Sequence, residues 1–275
     1  MKSLRKSVIV AAATLATFSS AHAAWTFNDQ DTFLAIKATG GTGSDINLFY
    51  NLGSSTVLRD GGGRGVNLVN ISTDLVAAYG AGWGTRTDLF FGVVATRTNV
   101  SAGTTNTTAP GGSDANRVLY MSRNASAPFT SPLYTTGTNP ANGSTAGPIT
   151  SFKTLLASTA NLTAQANGVY SLPASEINSF TDYTLSGPND ENSFENFTTT
   201  AFLSSLGNSA TGFADIQRID SRGTASNFLG GATSHVATVS IDTLGNISVI
   251  PEPSSLMLLG AAGAASLLRR RRTNA

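Results

Sequence analysis

Imidazole and thiol chemistry can be delimited first. The chain has no cysteine and two histidines, His22 and His235. Thiolate nucleophiles, thiolate metal sites and disulfides therefore drop out together. His22 falls in a segment read below as a cleaved leader, which leaves His235 as the one imidazole of a mature protein. A serine nucleophile needs a base beside its hydroxyl. His235 opens a strand-like run after Gly230-Gly231, and no Gly-x-Ser-x-Gly turn occurs anywhere. It reads as a surface or strand-edge histidine.

Carboxylates offer a second chemistry. Glycoside hydrolysis needs two of them. Asp190, Glu191 and Glu195 form one group, and Asp29 and Asp31 another. Each reads more simply as a solvated turn. Asn28, Asp29 and Asp31 carry oxygens that calcium accepts, but no complete calcium loop is present. Arg59-Asp60-Gly61-Gly62-Gly63-Arg64-Gly65 lacks the Gly-Lys-Ser/Thr ending of a phosphate loop and reads as a hairpin connection. The residues assign no catalytic, cofactor-binding or metal-binding position, and no cofactor is expected.

Charge narrows the partners. Charged residues are 12% of 275, well below the usual quarter. Lys2, Arg5, Lys6 and Arg269–Arg272 sit at the two ends. Taking these seven from 17 basic residues, and Glu252 from 16 acidic ones, leaves 10 against 15 in residues 24–250, a net charge of −5. The cations of this acidic body are scattered. A nucleic-acid partner requires them clustered on one face, so none is expected.

The two ends carry the clearest patterns. Met1–Ser7 is a charged lead-in, Val8 to about Phe18 is apolar, and Ala21-His22-Ala23 follows. Small residues at Ala21 and Ala23 suit signal peptidase, with cleavage before Ala24. At the other end, Pro251 and Pro253 flank Glu252 and block continuation of helix or sheet. Leu256–Leu268 is uncharged, and Arg269, Arg270, Arg271 and Arg272 would hold the last residues on the cytoplasmic side. Ser254–Leu268 would make about 22 Å of helix, a short span.

Pro251-Glu252-Pro253, an apolar segment and an arginine cluster at the chain end resemble the PEP-CTERM sorting tail of Gram-negative bacteria, also described as the ice-binding protein C-terminal domain. The resemblance covers about 25 residues. It implies recognition of Pro251, Glu252 and Pro253 by an exosortase-type peptidase and a transient stay in the inner membrane. Loss of the hydrophobic tail and delivery to the cell surface or an exopolysaccharide matrix would follow.

Three domains result: 1–23 signal peptide, 24–250 body, 251–275 sorting and anchor tail with a hydrophobic helix. The body alternates short strand-like runs with Gly, Asn, Asp, Ser and Pro. These runs are Trp25–Phe27, Thr32–Thr39, Ile46–Leu52, Asp88–Thr96, Arg117–Ser122, Ala214–Asp220, His235–Asp242 and Ile247–Ile250. Leu244-Gly245-Asn246 turns the last pair into a hairpin. Ser72–Tyr79 and Ile149–Leu162 read as helix, and Thr98–Asn116 and Thr135–Gly147 as long loops. The expected fold is mainly β, a single jelly-roll-like β-sandwich with one or two short helices. Phe33–Gly43 resembles a stretch of uncharacterised secreted proteins bearing this tail, and implies no activity. The expected function is structural or adhesive and non-enzymatic, the alternative being a carbohydrate-binding or carbohydrate-cleaving module.

Overall fold

The computed structural model describes residues 27–61, 65–97, 114, 118–134, 142–158, 162–185, 203–206, 211–219 and 233–252. The leader with Ala21 and Ala23, the expected new N-terminus Ala24, and Trp25 and Thr26 of the first expected strand lie outside them. So do most of the expected loop 98–116 and the tail from Pro253 onward.

The elements in chain order are β1 (Asp31–Ala38), β2 (Ile46–Ser54), α1 (Ser55–Arg59), β3 (Gly65–Asn70), α2 (Ser72–Tyr79), β4 (Leu89–Thr96), β5 (Leu119–Ala125), α3 (Asn142–Ser158), β6 (Thr163–Ala164), β7 (Val169–Pro173), α4 (Phe180–Leu185), β8 (Ser204–Leu206), β9 (Thr211–Ile219), β10 (Thr233–Asp242) and β11 (Asn246–Pro251). Alternation explains the strands. In β1, Leu34, Ile36 and Ala38 share one face and Phe33, Ala35 and Lys37 the other, and all six are buried. A strand buried on both faces needs a covering layer on each side.

All pairings are antiparallel, in the order β3-β11-β10-β9-β5-β4-β1-β2-β7-β6, with β8 beside the start of β4. The five-residue α1 packs against both β2 and β10, five places apart along that order. Flat strands so placed would lie ~24 Å apart at the usual spacing, too far for one short helix. The sheet is therefore curled into a half-barrel.

Here the structure departs from the two-sheet sandwich. The described strands form one continuous sheet, and its faces are closed by curling and by helices. Leu58, Leu75, Tyr79 and Trp83 fill the concave side against Leu34, Phe91, Val239 and Val249. On the convex side, Ile149, Phe152 and Leu156 of α3 and Phe180 and Tyr183 of α4 cover Phe33, Phe49 and Val94. Each such side chain contributes roughly 1.5–3 kcal/mol on burial. Four α-helices are described where one or two were expected. α3 also claims Asn142–Gly147 from the expected loop and carries Pro148 inside it. Burial of its apolar face outweighs the hydrogen bond that Pro148 cannot donate.

Antiparallel pairing sorts the strand ends into two poles. Turns 39–45 and 243–245 lie at one, the turn pole, where β1 meets β2 and β10 meets β11. Asp31, Thr96, Leu119, Ile219 and Thr233 lie at the other, the tail pole, toward which β11 runs before ending at Pro251 opposite Ala237. At the turn pole Arg86 clamps the glycine turn. It donates to the carbonyls of Gly40, Thr42 and Tyr79 at 2.7, 2.6 and 2.9 Å, and to both carboxylate oxygens of Asp88. Gly43 has φ +77°, and a Cβ there would stand 2.2 Å from the Ala78 carbonyl oxygen. Only glycine fits.

Candidate functional site

The sorting junction is built on β11. Ile247 and Val249 turn into the concave core, and the strand is interior, between β10 and β3. On the β3 side its last pair is Val249 with Gly65. On the β10 side pairing continues through Thr238 with Ile250 to Ala237 with Pro251. Proline has no N–H to extend a ladder, so the strand ends there. Of the expected motif, Pro251 is thus the last residue of the sheet and Glu252 is exposed. Pro253 and the anchor residues Leu256, Leu268 and Arg269–Arg272 lie outside the described residues.

The tail pole holds a buried charge knot. Asp114 Oδ1 accepts from Arg59 Nη1 at 2.8 Å and from Arg218 Nε and Nη2 at 3.1 and 3.0 Å. Its Oδ2 accepts from the Tyr120 hydroxyl at 2.5 Å, and Arg97 donates to its carbonyl. Burial, reinforced by the Asp114 charge, pushes the Tyr120 phenol well above its usual range. The knot ties α1, the end of β4, β5 and β9 together. Its bonds are charge-assisted and directed inward, the pattern of a structural tie.

His235 lies under a strap, residues 126–134, that crosses the convex face of β9 and β10. Its Nε2 stands 3.3 Å from Ser131 Oγ, 3.1 Å from the Ser131 carbonyl oxygen and 3.8 Å from Asp215 Oδ2. The three residue types are those of a hydrolase, but the geometry differs. A hydrolase base contacts serine and carboxylate through different ring nitrogens, whereas here Nε2 alone faces both. Asp215 accepts from the Phe129 and Ser131 amides at 2.8 Å each and from the Thr238 hydroxyl at 2.6 Å. Ser131 Oγ accepts from Gln217 Nε2 at 3.0 Å and is buried. These bonds pin the strap and hold Phe129 at φ +60°, a conformation bulky residues rarely adopt.

The remaining candidates separate. Asp31 Oδ2 accepts from the Asn28 amide and the Asn51 side chain, at 2.9 and 2.8 Å. Asp29 meets Lys153 of α3, which also reaches the Thr96 carbonyl. Burial holds the Lys153 ammonium below the usual lysine range, with Asp29 opposing the shift. Asp29 and Asp31 are thus braces for the first turn. Asp190, Glu191 and Glu195 lie outside the described residues. Among the described residues, no three of His, Asp and Glu converge to hold a metal. No described helix is long and apolar enough to cross a membrane. Trp83 is packed in the core. A cleft of about 80 Å³ lined by Ile46, Leu48, Asp74, Ala77, Gln165 and Ser171 has room for a few waters, far less than a small-molecule site.

Sequence reasoning missed the Asp114 and Asp215 knots and the Arg86 clamp. Most of their partners stand far apart in the chain, 55 and 104 positions for the arginines of Asp114 and 44 and 46 for Thr42 and Gly40 of the clamp. The nearby Arg86-Thr87-Asp88 spacing does not show what else Arg86 holds. Comparison with curated proteins and with solved structures finds no match. A family model does match, that of the PEP-CTERM protein-sorting motif, over residues 249–272. Its first three residues belong to β11, so the match spans the end of the sheet, the proline pair and the apolar tail. The C-terminus of this chain carries a PEP-CTERM sorting motif, which implies export, membrane-associated sorting and processing by an exosortase-type peptidase.

Proposed function

We propose that the protein is a non-enzymatic surface or extracellular-matrix component, structural or adhesive in role. One observation carries the reading: a β-rich body whose interior strand runs straight into a matched sorting motif. Signal peptidase opens the route at Ala24, and the exosortase-type peptidase ends the stay in the inner membrane. An exopolysaccharide is the partner such a body meets in the matrix. Support for the non-enzymatic part is the engagement of His235, Asp215, Asp29, Asp31 and Asp114 in ties between elements.

Fractionation of the native host with an epitope in the body tests this. The expected product sits in the surface or matrix fraction, begins at Ala24 and lacks the hydrophobic tail by mass spectrometry. Recovery of the intact chain in the cytoplasm would overturn it. Release of reducing ends from matrix polysaccharide by the purified body would favour carbohydrate cleavage instead. A fluorophosphonate adduct on Ser131, lost in His235→Ala, would refute the non-enzymatic role.

A further inference from the structure

The sheet does not stop short of the sorting motif; it runs into it. Pro251, the first residue of the recognition element, pairs with Ala237, while the second, Glu252, is exposed. Val249 and Ile247 anchor the strand in the core with 1% and 0% of their surface exposed. A peptidase that grips an extended peptide must reach the backbone on both sides of its recognition residues. Upstream of Glu252 that backbone belongs to a sheet. From Pro251 to Leu256 the chain spans five residues, at most ~18 Å when fully extended. The body therefore cannot stand far from the membrane while the motif is read.

The end of β11 is also its weakest part. The last β3 pair is at Val249, so Ile250 and Pro251 are paired to β10 alone, and Pro251 donates no N–H. Strand ends with few bonds open locally at much lower cost than the strand as a whole. The buried Val249 marks where such opening would stop.

We propose that the last two pairs, Thr238 with Ile250 and Ala237 with Pro251, form a latch over the sorting motif. The docked end withholds Pro251 from the peptidase, and the chain becomes a substrate only when those pairs part. The latch rests on the sorting-signal reading and makes processing sensitive to the state of the sheet. Anything that stabilises the docked end slows release from the membrane.

A pulse-chase of processing in the native host, using the full chain, tests this. One variant receives eight Gly/Ser residues between Ile250 and Pro251, freeing the motif from the sheet. A second receives the same eight between Pro253 and Ser254, lengthening the tether equally while leaving the latch intact. The latch predicts that the first is processed at least threefold faster than both the parent and the second. Equal or slower processing of the first variant would overturn it. Circular dichroism of the released body confirms that each insertion leaves the sheet folded. Replacing Pro251, Glu252 and Pro253 by alanine separates the two ideas. If that variant is blocked while the insertions change nothing, the latch fails and the sorting signal stands. If it is trimmed like the parent, the sorting reading itself fails.

Discussion

The two poles of the sheet are held by arginine and aspartate in different ways. At the tail pole, Asp114 is 1% exposed and compensated by two guanidiniums whose side chains are 10% and 8% exposed. At the turn pole, Arg86 and Asp88 are 17% and 32% exposed, and three of the five bonds go to backbone carbonyls. Removing one member of a buried set leaves uncompensated charge out of water, which costs far more than losing a wet pair. The first pole is a charge lock and the second a backbone clamp. The same residue types thus support unequal amounts of stability.

The largest effect should come from Asp114→Ala, which removes the buried carboxylate shared by Arg59, Arg218 and Tyr120, although Arg59 keeps its pair with Asp60. A loss of about 3–5 kcal/mol is expected in urea unfolding. A loss below that of Arg86→Ala would break the comparison. Next is Gly43→Ala at the turn pole, where a left-handed φ and a 2.2 Å contact combine. About 2–3 kcal/mol is expected, and the same measurement with no loss would mean the turn can move away from α2. Arg86→Ala should cost roughly 1 kcal/mol, seen as a small shift in thermal midpoint. Arg86→Lys should recover little of it, because a point charge cannot reproduce the planar fork.

The smallest effect is acidic loosening of the turn pole. Arg86 holds the Asp88 carboxyl below its usual range. Burial opposes ionisation of Asp242, but hydrogen bonds from the Asn246 side chain and from the amides of Asn246, Leu244 and Gly245 outweigh it, leaving it low as well. For both, the unfolded chain binds the proton more readily, so their stabilisation is full above the ordinary aspartate range of about 3.9. It is lost as pH falls through the lower folded value. Hydrogen exchange should show turns 39–45 and 243–245 losing protection over that window. Unchanged protection there would remove the assigned role of these bonds.

Local pattern determined much of this protein. Strand-like runs bounded by Gly, Asn, Asp, Ser and Pro mark β1, β2, β4, β5, β9, β10 and β11 near their observed bounds, with alternation clearest in β10, and Ser72–Tyr79 matches α2. The order of proline pair, apolar run and arginines identifies the tail, because a sorting signal is a contiguous peptide. Shorter pieces escaped. β3 is Gly-Val-Asn-Leu-Val-Asn and α1 has five residues, too brief or too interrupted for a period to emerge. What only the tertiary structure decided is the closure: one curled sheet where two stacked sheets were equally compatible with the alternation. A period of two says which side chains share a face, but not what covers that face. Curl, strap and knots join residues such as Ser131 and Asp215, 84 positions apart. Such pairs are set by how strands stack side by side, and that information is not local to any segment.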